Sequence, residues 1–323
     1  MKRSIILSNL GSCSDRYVTE GYDAPVSLKE LFQQLKKLKG VDGVELVGTW
    51  HIRPNNTQEI KSMLEEVGLP VVSIIPDHLG TKYWGKGAFT APDAAVRQEA
   101  IDSTLRICET AHALSCPVIS IWNGQDGFDY PLQADYAALN EYLIQGLYAL
   151  ASREPDLMFA LEYKPKEPRN HCSIPNVYSA LYLAEKTGLP NVGVTVDFGH
   201  SLLAGENVSD AICVAHKHHR LAHIHINDNF RMWDDDLITG SVHTIEYLEL
   251  FYWLQKIGYQ GYLSIDQYPY REDSLQAAQQ SLDWMTMLER TASRIDPEKM
   301  DAILKDQDAV ASTRYIREIL LGA

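Results

Sequence analysis

The 323-residue sequence lacks the features that mark several common classes of protein. No apolar run reaches the roughly 18 residues of a membrane-spanning helix, so we expect no transmembrane segment. Basic residues are few, 29 against 43 acidic ones, and the net charge of −14 disfavours binding to nucleic acid or to an anionic membrane. The apolar stretch at the N-terminus is short and ends in polar residues. We therefore interpret it as a first strand rather than as a signal peptide.

Cysteine is sparse, and two common nucleotide-binding motifs are missing. The five cysteines are scattered along the chain without a C-x-x-C pair; they are Cys13, Cys108, Cys116, Cys172 and Cys213. This usage is typical of a reducing compartment and disfavours a structural zinc site, so we expect a cytoplasmic protein. Neither a G-x-G-x-x-G after the first strand nor a phosphate-loop motif is found, which disfavours a doubly wound nucleotide-binding sheet.

The sequence does contain a repeated alternation of short β-branched runs and longer amphipathic segments. Strands are predicted at 4–9, 44–48, 69–76, 117–122, 157–164, 192–198, 221–227 and 261–266. The helices between and after them are predicted from a cap at Ser27 and then at 57–67, 92–113, 132–152, 175–186, 201–217, 243–257 and 274–291. Apolar strands that alternate with amphipathic helices form a parallel sheet covered by helices. Eight such units predict a (β/α)8 barrel over residues 1–293, with a helical extension over 294–323.

Charged and imidazole side chains cluster at the ends of the last four predicted strands. They are Glu162, Lys164, Asp197, His200, His223, His225 and Asp266. The chemistry of such barrels takes place at the C-terminal ends of the strands, so these side chains should meet at one rim. Mixed carboxylate and imidazole ligands suit a divalent ion such as Mn²⁺, Mg²⁺ or Co²⁺. The sequence therefore predicts a metal centre.

An acidic loop follows the seventh predicted strand, in the stretch NDNFRMWDDDLITG. Asp234 and Asp236 lie two residues apart, so both can point the same way in an extended loop. Together with His200 they could hold a second ion, with Asp197 bridging the two ions. One or two ions per chain are therefore predicted.

Five stretches carry a resemblance to the xylose isomerases. EYKPKEPR at 162–169 is similar to their E-P-K-P-N-E-P-R motif, and HIHINDNFRMWDDDL at 223–237 is similar to their H-I-D-L-N…D-x-D-L, one residue shorter. GKGAFTAPDAAVR, WNGQDG and IDQYPYRED resemble further stretches of that family in the same order. The resemblance implies a two-metal sugar isomerase with a xylose isomerase-like barrel.

The resemblance also implies roles for individual residues. The first metal would be held by Glu162, Asp197, His225 and Asp266, and the second by His200, Asp234, Asp236 and the shared Asp197. Lys164 would polarise the carbonyl oxygen of the sugar, and Trp122 would form an apolar wall beside the sugar chain. The catalytic group is accordingly predicted to be Lys164, Glu162, Asp266 and His200.

At several positions the sequence departs from the xylose isomerases. Asp197 and His225 resemble the rhamnose isomerase and ketose 3-epimerase branches, and the epimerase-like H-x-H-x-x-D-N-x-R makes Arg231 a predicted substrate contact. The catalytic histidine of xylose isomerases on strand two has no counterpart, since Val47 stands nearest to its position. His51 and His78, at the ends of strands two and three, are the predicted substitutes.

The favoured function is the interconversion of an aldose and a ketose by a metal-assisted 1,2-hydride shift. The alternatives are a ketose 3-epimerase that works through an enediolate, a lyase or deglycosidase on the same scaffold, and a metal-loaded binding protein with a degenerate site. The expected ligand is a monosaccharide, whose identity depends on loops 12–25 and 78–87. The extension carries Met300, Ile303, Leu304, Ile316, Ile319 and Leu320, so we expect it to join subunits into a dimer or tetramer.

Overall fold

A computed structural model describes residues 1–12 and 18–322, and within them eight parallel strands form a closed barrel. The strands are β1 (Lys2–Ile6), β2 (Gly43–Val47), β3 (Val71–Ile75), β4 (Val118–Trp122), β5 (Met158–Glu162), β6 (Val192–Asp197), β7 (Leu221–Ile226) and β8 (Tyr262–Ile265). Each strand pairs with the next one along the chain, and β8 pairs with β1 to close the barrel. The predicted (β/α)8 barrel is confirmed.

Eight helices surround the barrel. They are α1 (Leu28–Leu35), α2 (Thr57–Val67), α3 (Ala94–Leu114), α4 (Tyr136–Arg153), α5 (Val177–Lys186), α6 (Val208–Lys217), α7 (Thr244–Lys256) and α8 (Ser274–Ala292). Local caps explain where several of them begin. Ser27 and Glu30 form a capping box at the start of α1, and the Asp93 and Asp273 side chains accept backbone hydrogen bonds at the starts of α3 and α8.

Between β6 and β7 the chain forms two helices instead of the predicted single helix over 201–217. A short helix, Phe198–Leu203, follows β6 at once, and α6 begins only at Val208. The Asp197 carboxylate caps the short helix by accepting the backbone N–H of His200 at 2.7 Å, and Gly205 then turns the chain with a φ of +74°. As a result, the Asp197 side chain at the end of β6 is hydrogen-bonded to the backbone of His200.

Two predicted strands also end earlier than expected. The first ends at Ile6 and continues as a 3₁₀ turn, Leu7–Leu10, and β5 ends at Glu162. Lys164 lies beyond the barrel strand, and its backbone N–H donates to Ile174 O at 2.9 Å. The lysine is therefore anchored to the segment that follows β5 rather than to a neighbouring strand.

Side-chain alternation along the strands separates two apolar regions. On β2, Val44 and Leu46 belong to the main core between strands and helices, whereas Val47 packs with Ile6 and Ile75 in a smaller cluster. Glu45, between them in the sequence, points into the barrel, where it contacts histidines of β7. The barrel interior is therefore polar at the level of Glu45 and apolar at the level of Val47.

The extension after the barrel forms α9 (Pro297–Asp306) and α10 (Ala309–Leu321). Met300 and Tyr315 are buried in the barrel's own core, and the Tyr315 hydroxyl accepts the backbone N–H of Asp296 at 2.8 Å. Leu304 and Leu320 remain exposed. The extension thus packs on its own barrel, and its expected contact with a second subunit stays a prediction.

Two further sequence predictions concern membrane-spanning helices and the loop 12–25. None of their helices combines the length and the apolar character needed to cross a membrane. The loop 12–25, which was expected to influence the pocket, is described only in part, because residues 13–17 lie outside the described residues, as does Ala323 at the end of the extension.

Candidate metal centre

Four of the predicted metal ligands converge at the C-terminal rim of the barrel. They are Glu162 of β5, Asp197 of β6, His225 of β7 and Asp266 directly after β8, and one ligand atom from each lies within 4.8 Å of the others. Strand register produces this arrangement, because Asp197 pairs with His225 and the Asp266 backbone N–H donates to Ile226 O. His225 Nδ1 lies 3.3 Å from Glu162 Oε2 and 3.5 Å from Asp266 Oδ2.

The donor set fits a divalent cation. His225 Nδ1 is buried and makes no hydrogen bond within the described part of the chain, although it faces two carboxylates. Burial raises the pKa of Asp197 to about 7, and the Glu162 and Asp266 carboxylates add to the rise against the opposing effect of His200. Crowded carboxylates of this kind are stabilised by a cation, and three carboxylates with one imidazole suit Mn²⁺, Mg²⁺ or Co²⁺.

The residues predicted to hold a second ion reach the same cavity, but they are arranged differently. His200 Nε2 lies 3.2 Å from Asp234 Oδ2, and Lys164 Nζ lies 2.6 Å from that same oxygen. Asp236 lines the cavity beside them. Among the described residues, His200, Asp234 and Asp236 do not form a compact group of ligand atoms like the first one.

Burial and neighbouring charges shift the pKa values of His200, Asp234 and Asp236. Burial alone would lower the pKa of His200, but the Asp197 and Asp234 carboxylates outweigh it and raise that pKa to about 9. Burial acts oppositely on Asp234, whose pKa is nevertheless held below its usual range by Lys164 and His200. The pKa of Asp236 is raised well above its usual range by burial and then by the nearby Asp234 carboxylate.

Lys164 is a buried ammonium group with a defined set of partners. Its Nζ contacts Glu167 and Asp234 and lies 5.2 Å from the ring centroid of Trp122. Burial alone would lower the pKa of Lys164, but Asp234 and then Glu167 outweigh it and raise the pKa well above its usual value. The side chain is therefore a fixed positive charge at neutral pH.

These groups line a cavity of about 400 Å³, which is in the range of small-molecule sites. One wall is polar and carries Glu162, Lys164, His200, Asp234, Asp236 and Asp266. The first four strands contribute an apolar part of the lining, with Ile6, Val47 and Ile75 packed beside Trp122, and Asp77 lines the cavity just after β3. Trp50, Leu79, Trp233, Tyr268 and Tyr270 extend the lining. A ligand here would meet charge on one side and hydrocarbon or aromatic rings on the other.

The structure does not bring His51, His78 or Arg231 to this cavity wall. His51 Nδ1 accepts the backbone N–H of Val47 at 2.8 Å, and burial lowers the pKa of His51 to about 4. His78 is hydrogen-bonded to Ser103 and also has its pKa lowered by burial to about 4. Arg231 pairs with Glu246 at 3.0 Å on the surface. Each of the three side chains thus has a protein partner, and its predicted contact with substrate stays a prediction.

Sequence reasoning missed Glu45, which is fully buried in the barrel. Its Oε1 lies 2.6 Å from His223 Nε2 and its Oε2 lies 3.2 Å from His225 Nε2. Burial alone would raise the pKa of Glu45, but His223 and His225 outweigh it and hold that pKa well below its usual range. The available signal was a carboxylate in the middle of the apolar strand GVELV. Glu167, the second acidic partner of Lys164, was missed as well.

Comparisons with known proteins agree with this fold. Residues 32–288 match the family described as xylose isomerase-like TIM barrel. A xylose isomerase of Thermus thermophilus is 28% identical over 227 residues, which span 68% of this chain and 59% of that enzyme.

Solved structures of sugar epimerases are similar in fold. A 3-keto-D-glucoside 4-epimerase from E. coli, in its apo form, is 24% identical with a TM-score of 0.67, and the match covers 81% of this chain and 95% of that one. A D-psicose 3-epimerase from Clostridium cellulolyticum H10, solved with D-tagatose, is 17% identical with a TM-score of 0.70, over 90% of this chain and 99% of that one. By the extent of the family match, the chain belongs to the xylose isomerase-like TIM barrel family.

Proposed function

We propose that the protein is a divalent-metal-dependent sugar isomerase that interconverts an aldose and its ketose by a 1,2-hydride shift. The observation that carries this proposal is the position of the Lys164 ammonium. It lines the same cavity as the carboxylates of the first predicted metal site, Glu162 and Asp266, and those of the second, Asp234 and Asp236. Its Nζ is 2.6 Å from Asp234 Oδ2, and Glu162 and Asp266 line the same cavity. A bound divalent cation would supply Lewis acidity at the sugar oxygens, and it would neutralise the clustered carboxylates.

Lys164 is suited to act on the reacting oxygen of the sugar. Its raised pKa keeps it charged at neutral pH, and Asp234 and Glu167 hold the ammonium in a fixed position. A hydride shift develops negative charge on the carbonyl oxygen of the substrate. A preorganised cation that donates a hydrogen bond to that oxygen stabilises the charge more strongly in a buried cavity than in water.

The apolar wall supports transfer of hydrogen without exchange into water. Ile6, Val47 and Ile75 pack together with Trp122 beside it, opposite the polar wall. A sugar chain along this wall would have its carbon atoms against hydrocarbon and its oxygens toward the charged groups. The side chains of this wall include no base that could remove the hydrogen as a proton, which suits direct transfer from carbon to carbon.

The similar proteins act on sugars, and their names suggest two reactions for this chain, aldose–ketose isomerisation and epimerisation. The Thermus relative is a xylose isomerase, which favours aldose–ketose interconversion of a monosaccharide. The chain spans only 59% of that enzyme's length, so the transfer of its activity to this protein is part of the proposal.

A ketose 3-epimerase is the second candidate, and one specific arrangement favours it. Glu162 and Asp266 both face His225 Nδ1, at 3.3 and 3.5 Å, so two carboxylates could flank a sugar carbon as acid and base. The pKa of Asp266 is raised by burial, with a further rise from Glu162 against the lowering by His225. The similar fold of the D-psicose 3-epimerase is consistent with this route, in which Lys164 and Asp234 have no assigned role.

A sugar panel tests the proposal. Pentoses, hexoses and branched sugars, each as aldose and ketose, are incubated with the Mn²⁺-loaded protein, and the products are identified by NMR. At least one aldose should convert to its ketose, and chelated protein should be inactive. Epimerisation of ketoses at C3 with no reaction of aldoses would favour the second candidate. Activity on none of these sugars would contradict both.

A further inference from the structure

Glu45 is a buried carboxylate to which the proposed reaction assigns no role. It lies on β2, and both of its partners lie on β7. These two strands are not neighbours, since β1 and β8 stand between them in the barrel. The Glu45 side chain therefore reaches across the barrel interior to one of the predicted metal ligands, His225.

The two oxygens of Glu45 each meet one imidazole nitrogen. Oε1 lies 2.6 Å from His223 Nε2, and Oε2 lies 3.2 Å from His225 Nε2. An ionised carboxylate only accepts hydrogen bonds, so both Nε2 atoms donate a proton to it. The contact with His223 fixes one end of the carboxylate, which leaves the other oxygen aimed at His225.

This hydrogen bond determines which nitrogen of His225 is available to a metal. With the proton on Nε2, the neutral imidazole has its lone pair on Nδ1. Nδ1 is the atom that faces Glu162 Oε2 and Asp266 Oδ2, at 3.3 and 3.5 Å. It is also buried without a hydrogen bond among the described residues. The ring therefore presents opposite edges to Glu45 and to the metal centre.

We propose that Glu45 is a positioning residue of the metal centre, which fixes the tautomer and the ring orientation of His225 so that Nδ1 ligates the ion. The inference rests on the proposed metal site. Carboxylate partners of metal-bound histidines act in this way in other proteins. The rival arrangement is a second ion held by Glu45, His223 and His225, whose ligand atoms also lie within 4.8 Å of one another. The 2.6 Å separation of Glu45 Oε1 and His223 Nε2 is that of a hydrogen bond, which favours the positioning role.

Substitution of Glu45 by glutamine tests the proposal by binding alone. The amide keeps the shape of the side chain, but it offers one acceptor and one donor, so it cannot accept a proton from both imidazoles. Affinity for Mn²⁺ and Co²⁺, measured by calorimetric titration of the metal-free protein, should fall about 10- to 100-fold in Glu45→Gln. Glu45→Asp keeps two acceptor oxygens at a shorter reach and should lose less.

A matched control separates positioning from general damage to the barrel. Ser120 is also buried in the barrel, where its hydroxyl lies 3.2 Å from Thr195 Oγ1. Ser120→Ala removes that hydrogen bond without touching His225, so metal affinity should stay at the wild-type value. Wild-type affinity in a folded Glu45→Gln protein would overturn the proposal.

A spectroscopic measurement on the wild-type protein covers the case in which the variants do not fold. The Co²⁺-loaded protein, labelled with ¹⁵N-histidine, should show a hyperfine-shifted proton bonded to a histidine nitrogen, namely Nε2–H of His225. That signal should move or vanish in Glu45→Gln. Its absence from the wild-type spectrum would overturn the proposal.

The outcomes distinguish this inference from the proposed function. Wild-type protein that binds no divalent metal would contradict the metal site itself. Tight metal binding with an unaltered Glu45→Gln variant would contradict only the positioning role. Loss of one ion per chain in Glu45→Gln, with the remaining ion bound at full affinity, would show that Glu45 is itself a ligand and would also overturn the proposal.

Discussion

Lys164 and Asp234 form a buried ion pair, with Nζ 2.6 Å from Oδ2, and the same carboxylate oxygen lies 3.2 Å from His200 Nε2. The Asp234 carboxylate, a predicted ligand of a second ion, thus connects the lysine expected to act on the substrate with His200, another predicted ligand of that ion. Because Lys164 and His200 are buried and the Asp234 side chain is only 9% exposed, removal of one partner leaves the others with unpaired charge. Substitutions here should therefore affect both charge and turnover.

Removal of metal should abolish activity and lower thermal stability. The predicted ligands Glu162, Asp197, His225 and Asp266 bring three carboxylates together, and a cation bound only to the folded state would stabilise it. At a metal concentration 100 times Kd the gain is about 2.7 kcal/mol. The measurement is the melting temperature and the turnover of chelated protein before and after addition of Mn²⁺, Co²⁺ or Mg²⁺. Full activity of metal-free protein would contradict the metal centre.

Lys164→Met should lower kcat about 100- to 1000-fold, the usual effect of removing one preorganised electrostatic group. Metal affinity should change far less, because the ammonium acts on the reacting oxygen rather than on the ion. Lys256→Met is the matched control, since Lys256 pairs with Asp301 on the surface. Steady-state kinetics and metal titration of both variants check the prediction. Equal losses of kcat in the two variants would contradict a role for Lys164 in the reaction.

The double substitution Asp234→Asn with Asp236→Asn should separate the two ions. The first metal keeps all four of its ligands and should stay bound, whereas turnover should fall by about 100-fold or more. Elemental analysis of the wild-type and variant proteins gives the number of ions per chain. One ion per chain in fully active wild-type protein would argue against the second ion and favour the epimerase candidate.

His51 and His78, which are buried as neutral imidazoles, should each contribute a loss of stability as the pH falls from 6.5 to 4. Burial lowers each pKa from 6.5 to about 4, so in this window the unfolded chain binds protons that the folded chain does not. The unfolded state is therefore favoured as the pH falls, by about 2 kcal/mol per histidine at pH 5. In metal-free protein the raised pKa of Asp197 acts in the opposite direction. The contribution of a histidine is therefore measured as the difference between wild-type and variant protein in urea unfolding at pH 7 and pH 5.

Variants assign this pH dependence to a residue. His78→Gln should remove its share, because glutamine does not titrate and can still hydrogen-bond Ser103. The exposed His216, replaced by Gln, is the matched control and should retain the wild-type pH dependence. A pH dependence of His78→Gln identical to that of the wild-type protein would contradict the buried neutral form of His78.

Much of the barrel, and the meeting of carboxylates and imidazoles at one rim, followed from sequence pattern because both depend on local order and strand register. The selection of four of these side chains as ligands of the first metal was implied by the resemblance. Apolar runs alternating with amphipathic segments predict parallel strands, and parallel strands bring their C-terminal ends to one rim. Glu162, Asp197 and His225 each lie at or near such an end, so their proximity required no knowledge of packing.

Other features depend on contacts that sequence pattern does not contain. Glu45 meets His225 across the barrel interior, between strands that are not neighbours. His51 turns back to the Val47 N–H because a four-residue helix, Gly48–His51, follows β2 directly. His78 is hydrogen-bonded through Nε2 to the hydroxyl of Ser103 on α3. For Glu45 and His78 tertiary packing determines the direction of the side chain, and for His51 a local helical turn does; position at a strand end does not determine it.

The fate of the migrating hydrogen tests the proposed isomerase reaction most directly. In a hydride shift the hydrogen passes from carbon to carbon, whereas in an enediolate route a base such as Asp266 removes it as a proton that exchanges with water. The measurement is the deuterium content of the product after complete turnover in D₂O, by NMR and mass spectrometry. Product with little carbon-bound deuterium is the result expected for the hydride shift, and one deuterium per turnover at C3 would contradict it and establish epimerisation.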